Sequence, residues 1–215
     1  RVTAGSSFRE PNFFENFSTG FAIGNPDLKP EHAHSWEAGL EQSVARSRAS
    51  VSATLFDQRF TDLIDYNPSV AAPMPNYENI AAATARGLEL GIHVAPGAAS
   101  LGLTYTNLST RVTNPGFDST SGAALATGQP LLRRPKHAAR LDVGYRFRGR
   151  GMASLAVSYV GDRQDQDFET FPYPRVTLPS YARVDVAGEI HLLRSRGAAP
   201  GLAASLRIEN LFDAA

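Results

Sequence analysis

The chain reads as an all-β protein: an antiparallel transmembrane β-barrel, present in part, with about nine strands of a larger barrel. Three observations carry that expectation. Apolar and polar residues alternate with a period of two in segment after segment, as in a strand with two unlike faces. The connections between those segments are long and short by turns. The polar faces also hold too many charges for a dry core, where each would need a partner.

The segments follow in order. Arg1–Ser6 reads as the end of a strand, and the aromatic stretch Phe8–Phe17, with Pro11 near its start, suits a short helical turn in a long loop. Phe21–Gln42 changes character within itself. Gly24, Asn25, Pro26 and Pro30 are turn residues, because each proline fixes its φ and lacks a donor. From His34 onward Trp36, Ala38 and Leu40 alternate with Glu37, Gly39 and Glu41, and this strand runs to about Val44. After a minimal return at Arg46–Arg48, Ala49, Val51, Ala53 and Leu55 alternate with Ser50, Ser52, Thr54 and Phe56 up to about Ile64. Asp65–Tyr77 carries Pro68, Pro73 and Pro75 and is expected to be loop throughout.

The next strand is clearest from Arg86 to Val94, with Leu88, Leu90, Ile92 and Val94 on one face and Gly87, Glu89, Gly91 and His93 on the other. Pro96–Ala99 is a tight return into Leu101, Leu103 and Tyr105. Asn114–Arg133 is a long loop rich in Gly, Ser and Thr. Ala139, Leu141, Val143, Tyr145 and Phe147 form the cleanest apolar face, opposed by Arg140, Asp142, Gly144, Arg146 and Arg148. A short turn at Gly149–Gly151 leads to Ala153, Leu155, Val157 and Tyr159. Gly161–Pro179 is long, polar and aromatic. Ala182, Val184, Val186 and Ile190 then alternate with Arg183, Asp185 and Glu189, and Leu202–Ile208 closes the series with Arg207 and Glu209 on its polar side.

Segments of about ten residues fit a tilted strand crossing a bilayer. In such a wall the short returns share one side of the membrane and the long loops the other. The apolar faces meet lipid. The lumen-facing set is expected to be Glu37, Glu89, Arg140, Asp142, Arg146, Arg183, Asp185, Glu189, Arg207 and Glu209.

Composition narrows the function. The 215 residues carry 21 basic and 21 acidic side chains, a balance that argues against a nucleic-acid partner. No cysteine is present, so disulfides and thiolate metal sites are excluded. No segment reaches the roughly 18 apolar residues of a membrane helix. A mean hydropathy of −0.22 resembles that of a soluble protein, but a barrel averages the same way because only alternate residues face lipid. No signal peptide is visible, and the expectation is either a protein that is not exported or a piece of a longer chain.

Motifs with chemical meaning are few. Asp162, Asp165 and Asp167, with Glu169 nearby, have the oxygen ligands a hard cation takes, without the spacing of an EF-hand loop. His32 and His34 share a strand face; the remaining histidines are scattered. Nothing marks a nucleophile elbow or a phosphate-binding glycine loop, so no enzyme is expected and no cofactor is assigned. Aromatics gather in the long connections or at their edges. Phe13, Phe14, Tyr66, Tyr77, Phe117, Phe168, Phe171 and Tyr173 are candidate ligand contacts, because aromatics give large contact area for little lost entropy.

The run Gly24-Asn25-Pro26-Asp27-Leu28-Lys29-Pro30-Glu31, followed by Trp36-Glu37-Ala38-Gly39-Leu40-Glu41, resembles the barrel segment of TonB-dependent outer-membrane receptors of the siderophore and cobalamin type. Tyr77-Glu78-Asn79-Ile80 and Ala85-Arg86-Gly87-Leu88-Glu89-Leu90 are similar to a strand of that family. Leu131–His137 and Tyr159–Phe168 look like segments of its cobalamin-type members, and Leu178–Tyr181 and Asn210–Asp213 complete the set. The resemblance covers nearly the whole chain. It implies that residues 1–215 are the C-terminal portion of a barrel of about 22 strands, with the plug domain absent. It also implies a Gram-negative outer-membrane location and TonB-dependent active uptake of a metal chelate, a ferric siderophore or cobalamin. The implied partners are outer-membrane lipid, a small chelate ligand, and the TonB complex through a missing N-terminal region. A passive diffusion porin and a soluble all-β binding module are the alternatives.

Overall fold

The computed structural model describes residues 1–44, 48–67, 70, 72–117, 123–170, 173–193 and 201–214. Its strands are β1 (Val2–Arg9), β2 (Glu31–Val44), β3 (Ala49–Tyr66), β4 (Tyr77–Val94), β5 (Ala99–Asn114), β6 (His137–Phe147), β7 (Gly151–Val160), β8 (Arg163–Gln166), β9 (Arg175–Leu178), β10 (Tyr181–Leu193) and β11 (Leu202–Ile208). One short helix, α1, spans Phe13–Phe17. Nine strands form a single antiparallel sheet in the order β1-β2-β3-β4-β5-β6-β7-β10-β11, and β8 and β9 form a separate hairpin.

The register aligns the expected apolar faces into one surface. Leu101, Val143, Leu155, Val186 and Ile208 lie side by side on successive strands. Leu40, Ala53, Leu90, Tyr105, Ala139, Tyr159 and Ala182 form a second such row. Since directly paired residues share a face, each strand's alternation is in phase with its neighbours. Many of these side chains are exposed, among them Leu40, Leu55, Leu90 and Leu155. Aromatics border the surface at both ends: Trp36, Tyr105 and Tyr159 toward the long connections, Tyr145 and Phe147 toward the short ones. That is the layout of a lipid-facing band with interfacial girdles.

The opposite face is polar. Glu41, Ser52, Gly91, Thr104, Arg140, Ser158 and Arg183 form one row on it, and Ser43, Ser50, His93, Gly102, Asp142, Ala156 and Asp185 the next. On β6, β10 and at the end of β11 charges pair along the strand, Arg140 with Asp142 at 2.7 Å, Arg183 with Asp185 at 3.1 Å and Arg207 with Glu209 at 2.8 Å, whereas Arg1 and Arg9 reach across from the β1 side to Glu37 and Glu31 of β2.

Several boundaries differ from expectation. Asp65, Tyr66 and Tyr77 are not loop. β3 and β4 reach 18 residues each and stay paired to Tyr66↔Tyr77, with register shifts around Leu63. β4 begins well before Arg86, because the small side chains of Ala81, Ala83 and Ala85 pack down to 1%, 1% and 7% exposure. Backbone pairing, not strand propensity, extends the ladder there. Strands this long exceed the roughly 9–11 residues that cross a bilayer, so the surplus projects on the long-connection side. The β8–β9 hairpin falls inside the segment Gly161–Pro179, expected to be one long connection.

The few buried apolar residues, Ala22, Ala81, Ala83, Ala85, Val112, Ala123 and Ala126, lie toward the long connections. On the other side the returns are tight: Gly97 takes φ +67° and Gly149 φ +58°, conformations that favour glycine.

Candidate functional site at the long-connection end

The stretch from Gly20 to Glu31 is held by side chains of β4 and of the residue just before it. Asn76, 3% exposed, accepts from the Ile23 amide at 2.7 Å and donates to the carbonyls of Asn67 and Val70 at 2.8 and 3.1 Å. Asn79 accepts from the Lys29 amide and donates to the carbonyls of Lys29 and Asp62, each at 2.8 Å. Asp62 sits at φ +56° inside the register shift of β3, which turns its carbonyl out of the ladder. Asn25 completes the clip by donating to the Tyr77 carbonyl at 2.8 Å. The two prolines therefore stiffen a loop whose remaining freedom these asparagines remove.

α1 is capped by a reciprocal box. The Glu15 amide donates to the Asn12 side chain at 2.9 Å and the Asn12 amide to the Glu15 carboxylate at 2.8 Å. Gly24 passes so close to α1 that a Cβ there would lie 2.5 Å from the backbone of Asn16 and Phe17. Arg9 bridges Glu15 at 3.1 Å and Glu31 at 2.7 Å, and the Ile64 amide donates to Glu31 at 2.9 Å. Burial pushes the Glu31 carboxyl up, but the bonds from Arg9 and Ile64 outweigh it and leave the pKa lowered.

Aromatics gather beside this clip. Phe14 meets Tyr77 edge-on at 6.3 Å, and Tyr77 lies 5.2 Å from Tyr66. The Phe117 amide donates to Asp65, the neighbour of Tyr66, at 3.0 Å. Phe13 packs on Phe17 at 5.2 Å and stays 79% exposed. Burial, then the charge on Tyr66 and on Glu15, raises the Tyr77 pKa.

A second group stands on the β8–β9 hairpin. Phe168 and Tyr173 are 5.8 Å apart, and Arg133 lies over the Phe168 ring at 5.9 Å. Phe171 lies outside the described residues. Two arginines tie the hairpin to the preceding loop. Arg133 pairs with Asp165 at 3.0 Å, and Arg175 donates to the carbonyls of Ala123, Ala124 and Pro130 at 2.9, 2.8 and 3.1 Å. Burial lowers the Arg175 pKa. Sequence reasoning singled out neither arginine's role, nor that of Asn76. Asn79 lies inside the Tyr77–Ile80 motif, but its partners Lys29 and Asp62 are 50 and 17 positions away and leave no local signal.

Two of the three candidate cation-binding aspartates make other bonds. Asp165 bonds the Gln166 amide and Arg133, which hold its pKa low, and Asp167 accepts from the Glu169 amide at 2.8 Å. Among the described residues no three His, Asp or Glu side chains converge as a metal cage. His32 and His34 share a face, opposite Thr61 and Arg59 of β3.

The sequence matches the family model described as TonB dependent receptor-like, beta-barrel, over residues 1–211. The vitamin B12 transporter BtuB of Vibrio cholerae serotype O1 is 27% identical over 214 residues, 99% of this chain and 30% of that protein. Solved structures share the fold. The ferripyoverdine receptor of the outer membrane of Pseudomonas aeruginosa superposes with a TM-score of 0.73 at 17% identity, over 99% of this chain and 27% of that one. The ferric-catecholate import receptor Fiu from E. coli K12 also gives 0.73, at 19% identity, over 99% of this chain and 28% of that one. The chain thus spans about three-tenths of the length of these relatives. In-phase faces, girdled apolar band, alternating connections and a family match over nearly every residue lead to one conclusion: the chain belongs to the TonB-dependent receptor β-barrel family.

Proposed function

We propose that the chain forms the C-terminal part of the wall of a Gram-negative outer-membrane receptor for TonB-dependent uptake of a metal chelate, a ferric siderophore or a corrinoid. The observation that carries this reading is the in-phase pair of faces. One is apolar along the nine-stranded sheet and bordered by aromatics on β2, β5, β6 and β7. The other carries Glu37, Glu89, Arg140, Asp142, Arg146, Arg183, Asp185, Glu189 and Arg207, with Glu209 directly after β11. Lipid covers the first face, and the second lines the lumen. A plug domain and the contact with the TonB complex belong to sequence beyond these 215 residues. Family membership favours an energised receptor over a diffusion porin.

On this reading the long connections face outward and hold the chelate. Phe14, Tyr66 and Tyr77, with Phe117 beside them, form one contact surface, Phe168 and Tyr173 another, and Phe13 is an exposed anchor. Planar or aromatic parts of a chelate suit such surfaces. Phe171 remains a candidate by its place in the sequence between Phe168 and Tyr173. The test uses cysteine probes, since the chain has none of its own. In the complete receptor on intact cells, Thr127→Cys and Thr170→Cys should react with an impermeant maleimide. Arg148→Cys should react only once the outer membrane is opened. The reverse pattern would sink the proposal. Loss of chelate binding in Tyr77→Ala, with surface labelling of Thr170→Cys retained, would tie the aromatic cluster to the ligand.

A further inference from the structure

The apolar face ends abruptly in charge at the long-connection end. Two residues beyond the row of Ala38, Leu55 and Leu88 stand Trp36, Asp57 and Arg86 in register, and two further on stand Ser6, His34, Arg59, Thr84 and Arg111. Two guanidiniums, Arg59 and Arg86, therefore sit beside one carboxylate, on the face that the lower rows make apolar, and Arg111 adds a third cation in the next row. Asp57 is 9% exposed and engages Arg86 at 2.6 Å and Arg59 at 3.5 Å, both through Nε. The two arginine side chains are themselves 61% and 67% exposed, so the carboxylate anchors them without covering them. Alongside, Ala4, Ser6, His34, Trp36, Asp57 and Arg59 line a shallow depression in the wall.

We infer that this patch is a docking site for the anionic phosphate headgroup of a membrane lipid whose acyl chains lie along the apolar rows below it. The inference rests on the lipid-facing assignment proposed above. Charge complementarity selects the occupant. Three cations against one acid repel a basic partner and attract an anion, and guanidinium matches phosphate oxygens in a fork. Position selects a lipid over a free anion. The patch lies at the rim of the apolar band, beside the chain's single tryptophan, where amphipathic rings and headgroups meet. Arg207 and Arg146, on the opposite face, have no apolar rows beneath them and serve as the contrast.

The test is native mass spectrometry of the complete receptor in neutral detergent, offered equimolar dioleoylphosphatidylglycerol and dioleoylphosphatidylcholine. The wild type should retain the anionic lipid in preference, and less so as salt rises. Arg59→Gln and Arg86→Gln should each weaken that preference about fivefold, equivalent to roughly 1 kcal/mol for one cation near an anionic membrane surface. Arg207→Gln should leave it unchanged. Equal retention of the two lipids by the wild type, a preference indifferent to salt, or an equal loss in Arg207→Gln would each overturn the inference. A variant that no longer folds, seen as loss of heat-modifiable migration, is replaced by Arg111→Gln, for which the same fivefold loss is expected and no loss overturns the inference. A receptor that stays monodisperse without detergent and binds neither lipid would overturn the membrane reading itself.

Discussion

Leu155 and Ala156 are consecutive, yet an arginine at each should have opposite consequences. Leu155 lies between Val143 and Val186 in the register and midway along β7 between the Gly151↔Phe147 and Tyr159↔Ala139 pairs. At about 3.3 Å per residue that places it roughly 13 Å along the strand from either aromatic row. Strand tilt of about 40° reduces this to roughly 10 Å of depth, close to the midplane. A guanidinium there meets Val143, Val186, Ala153 and Val157 and finds no acceptor, so Leu155→Arg should cost about 2–4 kcal/mol. Ala156 lies between Asp142 and Asp185 on the polar face. A cation there faces two carboxylates, so Ala156→Arg should change stability by no more than about 0.5 kcal/mol. The assay is urea unfolding of the complete receptor refolded into phosphatidylcholine vesicles, read by heat-modifiable migration. Equal costs at the two positions, or the larger cost at Ala156, would refute the assigned faces. Gly144 is a poorer control, because a Cβ there would lie 2.6 Å from the Ser100 hydroxyl.

Three further outcomes are expected. Asn79→Ala removes three hydrogen bonds from the Lys29–Asp62 clip and should cost about 1–3 kcal/mol. Hydrogen exchange should show the Lys29 amide released, and unchanged protection there would contradict the clip. Glu31 has a lowered pKa in the folded state, so its contribution is present above the unfolded value of about 4.3 and is lost as pH falls through the lower folded value. Ile64 amide protection, corrected for intrinsic exchange, should hold from neutral pH and drop only below the unfolded carboxyl value; a rise on acidification would oppose the sign. Gly87→Ala drives a Cβ into the Asn107 carbonyl and the Phe56 ring and should destabilise by about 1–3 kcal/mol, with a thermal melt at wild-type temperature as the contrary result.

Which side chains share a face was legible in the sequence, because side-chain direction alternates with chain position in any extended strand. Leu141, Val143 and Tyr145 on one side and Arg140, Asp142 and Arg146 on the other needed no partner strand to be sorted. The alternation of tight and long connections was equally local, written in glycine and proline. Tertiary structure alone decided what depends on contacts between distant positions. Tyr66 and Tyr77 pair because β3 and β4 hold each other past the point where propensity fades. Asn76 and Asn79 accept from the Ile23 and Lys29 amides only when residues some fifty positions earlier arrive within hydrogen-bond reach. Arg175 reads as an ordinary loop cation until the carbonyls of Ala123, Ala124 and Pro130 turn toward it. Asp57 has only Arg59 two residues along its strand until pairing sets Arg86 beside it. A period is a property of one strand, whereas a hydrogen-bond partner is a property of the folded chain.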